Sequence, residues 1–388
     1  MGRSLLPVNA PITFVLLLFL LAPAAVLQGN NILFWLLAVL LATLLLSLIG
    51  SRWMLHGLTV KRQVPMHGLV GSPLVVRYEV HRLRRRLPAF GLFIEEQSGA
   101  AGHGCFATER SRAWILHVGP GETVHGEGVF VPTRRGRVQF DAFAIRTSFP
   151  FGLIRRVRHV VQPQHTLIYP RVYQLQERVL AALTPQGPDG LRTVGQRGGG
   201  DDYFGIRQIR TGDSIRDIAW KLSAHRGDLL AIDRARPSPP RIRIVLDLST
   251  PTDELQVGED EPVPARELEE RAIALTASIL KVVTDRQLEV DVSVPGFDVP
   301  ALGFRGHAFH VHRLMTMLAG LELDGPRRPC SASTVPAMER AGLVVIRPDR
   351  VRAIAHRSDA WYLSGRQLDE LIEHSVQRQP AASGEAVA

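Results

Sequence analysis

Cysteine is almost missing from this chain: Cys105 and Cys330 are the only two, and they stand far apart. They make no ligand or redox motif and fit a reduced compartment. The glycines between Gln196 and Gly205 are not followed by the Lys-Ser or Lys-Thr of a phosphate-binding loop, so nothing marks nucleotide hydrolysis. There is no Gly-x-Ser-x-Gly elbow and no cysteine–histidine pairing in a catalytic context. The most informative absence is of charge. Between Ser4 and Ser51 there is no Asp, Glu, Lys, Arg or His.

Within that charge-free run, residues 11–27 and 32–49 each come close to the ~20 apolar residues that cross a bilayer. Gln28-Gly29-Asn30-Asn31 separates them, a polar turn with room only for a tight helical hairpin. Arg3 precedes the first span, Arg52, Lys61 and Arg62 follow the second, and the turn carries no charge. The positive-inside rule then puts both ends in the cytoplasm. A cleaved leader ending near Ala22-Pro23-Ala24 is the competing reading. Its basic region has one arginine, and a second apolar stretch follows at once. Residues 1–52 are expected to form a transmembrane hairpin.

Residues 57–170 change character. Short apolar or alternating runs at Leu74–Val80, Phe90–Ile94, Trp114–Val118, Val124–Phe130 and Val138–Ile145 read as strands, with turn signals at Gly71-Ser72-Pro73, Gly119-Pro120-Gly121 and Arg135-Gly136. No amphipathic helix interrupts them. The pattern predicts a small antiparallel β-sandwich of Ig-like shape. One basic cluster, Arg82, Arg84, Arg85 and Arg86 with Arg77 and His81 nearby, follows closely on the anchor. It suits anionic lipid headgroups, or a solvated hairpin loop. Nucleic acid would call for interleaved aromatics and a reading module, and neither is present. The net charge of +9 fits a membrane-facing surface without requiring a polyanion.

Residues 171–240 carry the densest charge and turn signals. The Gly198–Gly200 run resists regular structure on entropic grounds. Thr211-Gly212-Asp213 then leads into a helical face of Ile215, Ile218, Ala219 and Leu222, capped by Asp213 or Ser214 and closed by Gly227. From 241 to 375 strands and helices alternate. Strands are expected at 241–249, 288–294, 343–346 and 361–363, and helices at 265–286, 307–321 and 365–374. Such alternation implies crossovers and a mostly parallel sheet. Residues 376–388 are small and polar, the composition of a disordered tail. His307, His310 and His312 crowd one helix start, but a zinc site would need a third convergent ligand.

The segment Phe204-Gly205-Ile206-Arg207, then Gly212-Asp213, Arg216, Ile218-Ala219-Trp220-Lys221 and Ser223-Ala224, resembles the central motif of the bacterial family named domain of unknown function 58. Ile206 and His225 depart from its pattern. Arg134–Arg137 and Ser148–Leu153 resemble the same family. The strand ending Asp247-Leu248-Ser249 resembles the metal-binding loop of von Willebrand factor A-type domains, whose Asp-x-Ser-x-Ser holds Mg²⁺ through oxygen ligands. Here the last position is Pro251, so the site is degenerate. The expected fold is therefore α+β and multidomain: two N-terminal transmembrane helices, the sandwich, and an α/β von Willebrand A-like domain with a mostly parallel sheet. The resemblance implies residence in the bacterial inner membrane and partnership with a MoxR-type AAA+ ATPase, with no cofactor beyond the degenerate Mg²⁺ site. On that reading Arg207, Asp213, Arg216 and Trp220 either pin the connection or form a docking face. A hydrolase using Asp213, Ser223 and His225 is the alternative. Ser223 and His225, two apart on a helix, point about 200° from each other.

Overall fold

The computed structural model describes residues 10–83, 87–97, 106, 111–177, 179, 196–210, 213–236, 241–256, 263–300, 302–328, 342–349 and 360–373; of 10, 196–204 and 233–236 it describes the backbone alone. Arg84, Arg85, Arg86, Gly212, both cysteines and the 376–388 tail lie outside the described residues. The chain divides into two compact units, Met1–Tyr169 and Pro170–Ala388.

The first unit opens with helices α1 (Ala10–Gln28) and α2 (Asn31–Leu55), both apolar on every face. Gly29, at φ +62°, takes the left-handed turn that ends α1. The Asn30 side chain accepts from the Ile32 N–H at 2.9 Å and caps α2. Both helices are long and apolar enough to cross a membrane. Phe19 is 77% exposed and Trp35 75%, the outward apolar surface that a spanning helix gives to lipid. Hydroxyls inside the run are satisfied within the helix: Thr43 donates to Val39 O, and Ser47 to Thr43 O. The helix outlasts the apolar run because its last turn, with Met54 and Leu55 buried, packs on the β region.

Eight strands follow: β1 (Leu58–Gln63), β2 (His67–Leu69), β3 (Leu74–Arg82), β4 (Ala89–Gln97), β5 (Arg112–Val118), β6 (Thr123–Phe130), β7 (Gly136–Thr147) and β8 (Arg156–Tyr169). They form a three-stranded sheet, β1-β3-β6, and a five-stranded sheet, β2-β8-β7-β4-β5. One core lies between them. Val76, Tyr78 and Val80 of β3 meet Leu92 and Ile94 of β4, Ile115 of β5 and Phe143 and Ile145 of β7. Each such side chain contributes about 1.5–3 kcal/mol of burial. The sheets are not wholly antiparallel as expected, because β2 runs parallel to β8. At three residues, β2 is too short to show any alternation. The long β8 also escapes a hydrophobic reading, since none of its residues is buried before Thr166.

A cation sits inside this core. Arg62 is fully buried; its Nη1 meets Glu96 Oε2 at 2.6 Å and its Nη2 donates to the carbonyls of Phe140 and Gln162. The Tyr78 hydroxyl donates to the other Glu96 oxygen at 2.7 Å. Burial pushes that hydroxyl's pKa upward, so it stays a donor.

In the second unit, β9 (Gln196–Gln208) pairs antiparallel with β10 (Leu230–Arg236). The glycine run thus lies in a strand rather than an irregular loop. The expected continuous helix is broken as well. A 3₁₀ turn covers Ile215–Asp217, and α3 (Trp220–Arg226) begins only afterwards. The cause is β10: Ile218 bridges Ala231, and the Ala219 N–H donates to Leu230 O at 2.8 Å, taking this backbone out of helical bonding.

The second sheet contains β11 (Arg241–Leu246), β12 (Glu289–Ser293), β13 (Gly342–Arg347) and β14 (Ala360–Ser364), all parallel, in the order β12-β11-β13-β14. Helix α4 (Ala265–Asp285) joins β11 to β12, α5 (Ala308–Ala319) follows β12, and the single turn α6 (Leu368–Leu371) ends the described part. Helix α4 is buried all round in its middle, with every residue from Ala272 to Leu280 buried, and on one side at its ends through Leu268 and Val283. Residues 170–177 belong to this body: the Tyr173 N–H donates to Ser278 Oγ at 2.9 Å, and Gln176 Nε2 to Ile372 O at 3.0 Å.

Candidate functional site

The motif segment is built around one bidentate ion pair. Arg207 Nη1 and Nη2 meet the two oxygens of Asp213 at 2.6 Å each, and the Arg210 N–H donates to Asp213 Oδ2 at 2.7 Å. The hydrogen bonds from Arg207, then the Arg210 N–H, bring the Asp213 carboxyl down to about 2. The pair fastens the end of β9 to the turn that starts the 3₁₀ segment. Gly205 lies in β9 opposite Asp233, and a Cβ there would meet nothing within 4 Å. Phe204 is also in β9, where only its backbone is described. Ser223 is buried, and its Oγ accepts from the Leu230 N–H at 2.9 Å, holding α3 against β10. That engagement gives the hydroxyl a structural task. Ala224, His225 and Arg216 are exposed.

Apolar side chains are exposed along this segment: Ile215 at 73%, Trp220 at 60%, and Leu222 and Leu229. Among the residues singled out in the sequence, the structure thus brings Arg207, Asp213 and Ser223 into the frame. Trp220 is left on the surface.

The second constellation lies at the carboxyl ends of β11 and β13, where the strand order reverses and open α/β sheets place their ligands. Asp247 ends the β11 run. Its Oδ1 accepts from Ser249 Oγ at 2.6 Å, and its Oδ2 meets Arg347 Nη2 at 2.5 Å. Close by, fully buried Glu269 of α4 meets Arg327 Nη2 at 2.6 Å and accepts from Thr252 Oγ1. Arg327 also donates to the carbonyls of Leu248, Thr250 and Leu323. Gly296, at φ +104°, lets the next loop cross tightly: a Cβ there would stand 2.5 Å from Leu248 O.

This donor set does not fit a divalent cation. Both Asp247 oxygens are engaged, Pro251 offers no side-chain oxygen, and a second positive charge beside Arg347 would be repelled. Among the described residues no three His, Cys, Asp or Glu gather as a ligand group. Arg327, Arg347 and Glu269 escape the sequence reading. Arg347 did leave one signal, a charge closing an apolar strand.

Arg82 is not turned toward lipid. It is 1% exposed, and its guanidinium donates to the carbonyls of Met54 at 3.2 Å and Trp53 at 3.4 Å. Arg158 does the same for Leu55 and Leu58. The last carbonyls of α2 lack helical partners and carry the negative end of its dipole, so two guanidiniums complete them. Nor do the three histidines converge: buried His310 lies with Nε2 3.0 Å from Val290 O.

No family model and no curated protein matches the chain. Among solved structures, it is similar to the CARDB domain of a Pyrococcus furiosus protein at 13% identity and a TM-score of 0.18, over 27% of this chain and 93% of that one. It is also similar to a DUF4466-family protein from Parabacteroides merdae at 9% identity and a TM-score of 0.19, over 41% of this chain and 67% of that one.

Proposed function

We propose that this chain is a membrane-anchored, non-enzymatic adaptor of the domain-of-unknown-function-58 type, working with a MoxR-type AAA+ ATPase. On this reading α1 and α2 lie in the bacterial inner membrane with both termini cytoplasmic. The sandwich is Ig-like, and the parallel sheet is a von Willebrand A-like domain that works without Mg²⁺. Its order, with the first strand between the second and the third, supports the domain reading. Arginines beside Asp247 and Glu269 support the metal-free one.

The observation that carries the adaptor role is the 60% exposed Trp220, on a segment held by the Arg207–Asp213 pair and by Ser223. An exposed Trp on a segment pinned by an ion pair has the make-up of a binding hot spot. Its test is capture of a purified MoxR-type ATPase, held with non-hydrolysable nucleotide, on the detergent-purified full chain. Trp220→Ala is expected to weaken capture by about thirtyfold, the worth of a hot-spot aromatic. No capture by the unaltered chain, or equal capture by the variant, overturns the proposal.

A further inference from the structure

A pocket on the outer face of the five-stranded sheet has no part in the adaptor reading. Its walls are Phe93 and Glu95 of β4, Arg112 of β5, Arg146 at the end of β7, and Ser148 and Arg155 in the β7–β8 connection. The strand register explains the gathering. Phe93 pairs with Arg146, and Glu95 with Arg112, so alternate residues of three neighbouring strands point to one side.

Three guanidiniums and one carboxylate line it. Glu95 meets Arg146 at 2.7 Å and Arg112 at 3.6 Å, while no carboxylate among the described residues pairs with Arg155. The buried Arg146 Nε has no hydrogen-bond acceptor. The pocket therefore keeps an excess of two positive charges and an unused donor, Arg146 Nε, with Glu95 Oε2 the unused acceptor beside it. That arrangement is made for an anion with several acceptor oxygens.

Its position in the first unit narrows the choice. The exit of α2 rests on this same end of the sheet: a Cβ on Gly50 would stand 3.1 Å from Pro150 Cδ, and the Phe90 N–H lies 3.3 Å from Met54 Sδ. Phe93 is three residues along β4 from Phe90, about 10 Å. With 25 residues, α2 is about 37 Å long, against a hydrocarbon core of about 30 Å. Its final turn, with Arg52 and the half-exposed Trp53, thus emerges at headgroup depth. Ser148 and Arg146 of the pocket stand two and four residues along the chain from Pro150, the residue beside Gly50 of α2.

We propose that this pocket binds a phosphate group, that of an anionic phospholipid headgroup at the cytoplasmic surface. The inference rests on α2 spanning the bilayer. The same chemistry is offered by soluble phosphate, so the test separates the two sources.

The full chain in mild detergent is titrated with phosphatidylglycerol, phosphatidylcholine and inorganic phosphate, and native mass spectrometry counts the adducts. Phosphatidylglycerol is expected to bind in preference to phosphatidylcholine. Arg155→Gln is expected to weaken it about fivefold, and Arg146→Gln with Arg155→Gln by roughly the square of that. Arg155 is exposed and has no ion-pair partner among the described residues, so its variant tests the site without disturbing the fold; an unchanged melting curve checks this. Loss of inorganic phosphate binding alone in the variants assigns the anion site to a soluble source. Equal binding of both ligands by all three proteins, or no preference over phosphatidylcholine and no phosphate bound, overturns the proposal. Carbonate extraction in parallel tests the anchor separately. If the chain comes off the membrane, the lipid source falls, and the phosphate titration still decides the pocket.

Discussion

Both units hold arginine against carboxylate, in opposite surroundings. In the sandwich, Arg62 and Glu96 sit in the middle of the core, and the guanidinium donates to carbonyls of fixed strands. In the α/β unit three pairs stand at element ends, Arg347 with Asp247, Arg327 with Glu269 and Arg207 with Asp213, while Arg243 and Asp291 pair mid-strand across β11 and β12. The first kind fixes which strands face each other. The second kind fastens loops, and its strength should fall with exposure, from Glu269 at no exposure to Asp213 at 18%.

The sharpest way to break this comparison is Arg62→Ala. It leaves Glu96 buried without its cation and opens a cavity between Phe140 and Phe143, so a loss of about 3–5 kcal/mol is expected. Hydrogen exchange of β3 and β7 amides in the full chain measures it locally. A loss under about 1 kcal/mol would mean that the pair has no part in holding the sheets together. Arg62→Met, which fills the space without a charge, should cost less, and less again when combined with Glu96→Gln.

Arg327→Ala is the next test. Glu269 keeps Thr252 as a donor, so the expected loss is about 1.5–3 kcal/mol. It should be confined to the 248–252 loop and the first turns of α4. Adding Glu269→Gln should recover part of it. Spread of the exchange into β12 and β14 would instead make this pair as central as the one in the sandwich.

What could be read from the chain follows the same division. The charge-free run announced α1 and α2 because every residue of a spanning helix obeys one rule. The α/β alternation was equally open, since α4 carries its whole apolar face in its own sequence. The motif segment misled because its helical spacing at Ile215, Ile218, Ala219 and Leu222 competes with a partner strand that local pattern cannot contain. β10 wins by taking the backbone of Ile218 and Ala219. Arg82 misled in another way. A run of arginines reads as surface until the carbonyls of Trp53 and Met54, some thirty positions earlier, are known to need donors. At the strand ends Asp247 and Ser249 were visible, and the arginines that stand there were not. Arg327 and Arg347 reach them only through the crossovers.

The mildest contrast is in pH. Asp213 has its carboxyl held at about 2, against an ordinary 3.8, by Arg207 and the Arg210 N–H. A depressed folded-state pKa means that the unfolded chain takes up the proton first. The pair's contribution is therefore complete above about pH 4 and drains away as pH falls through the folded value near 2. Exchange of the 206–210 and 229–232 amides should quicken across that window in the native chain. In Asp213→Asn the quickening tied to this carboxyl should vanish, and at neutral pH the same amides should already exchange somewhat faster. Because the pair is partly solvated, added salt should narrow the difference between the two proteins, whereas it should leave the Arg62 variants unchanged. If salt leaves the Asp213 effect intact, this pair behaves like the buried one, and exposure does not set the order of the three.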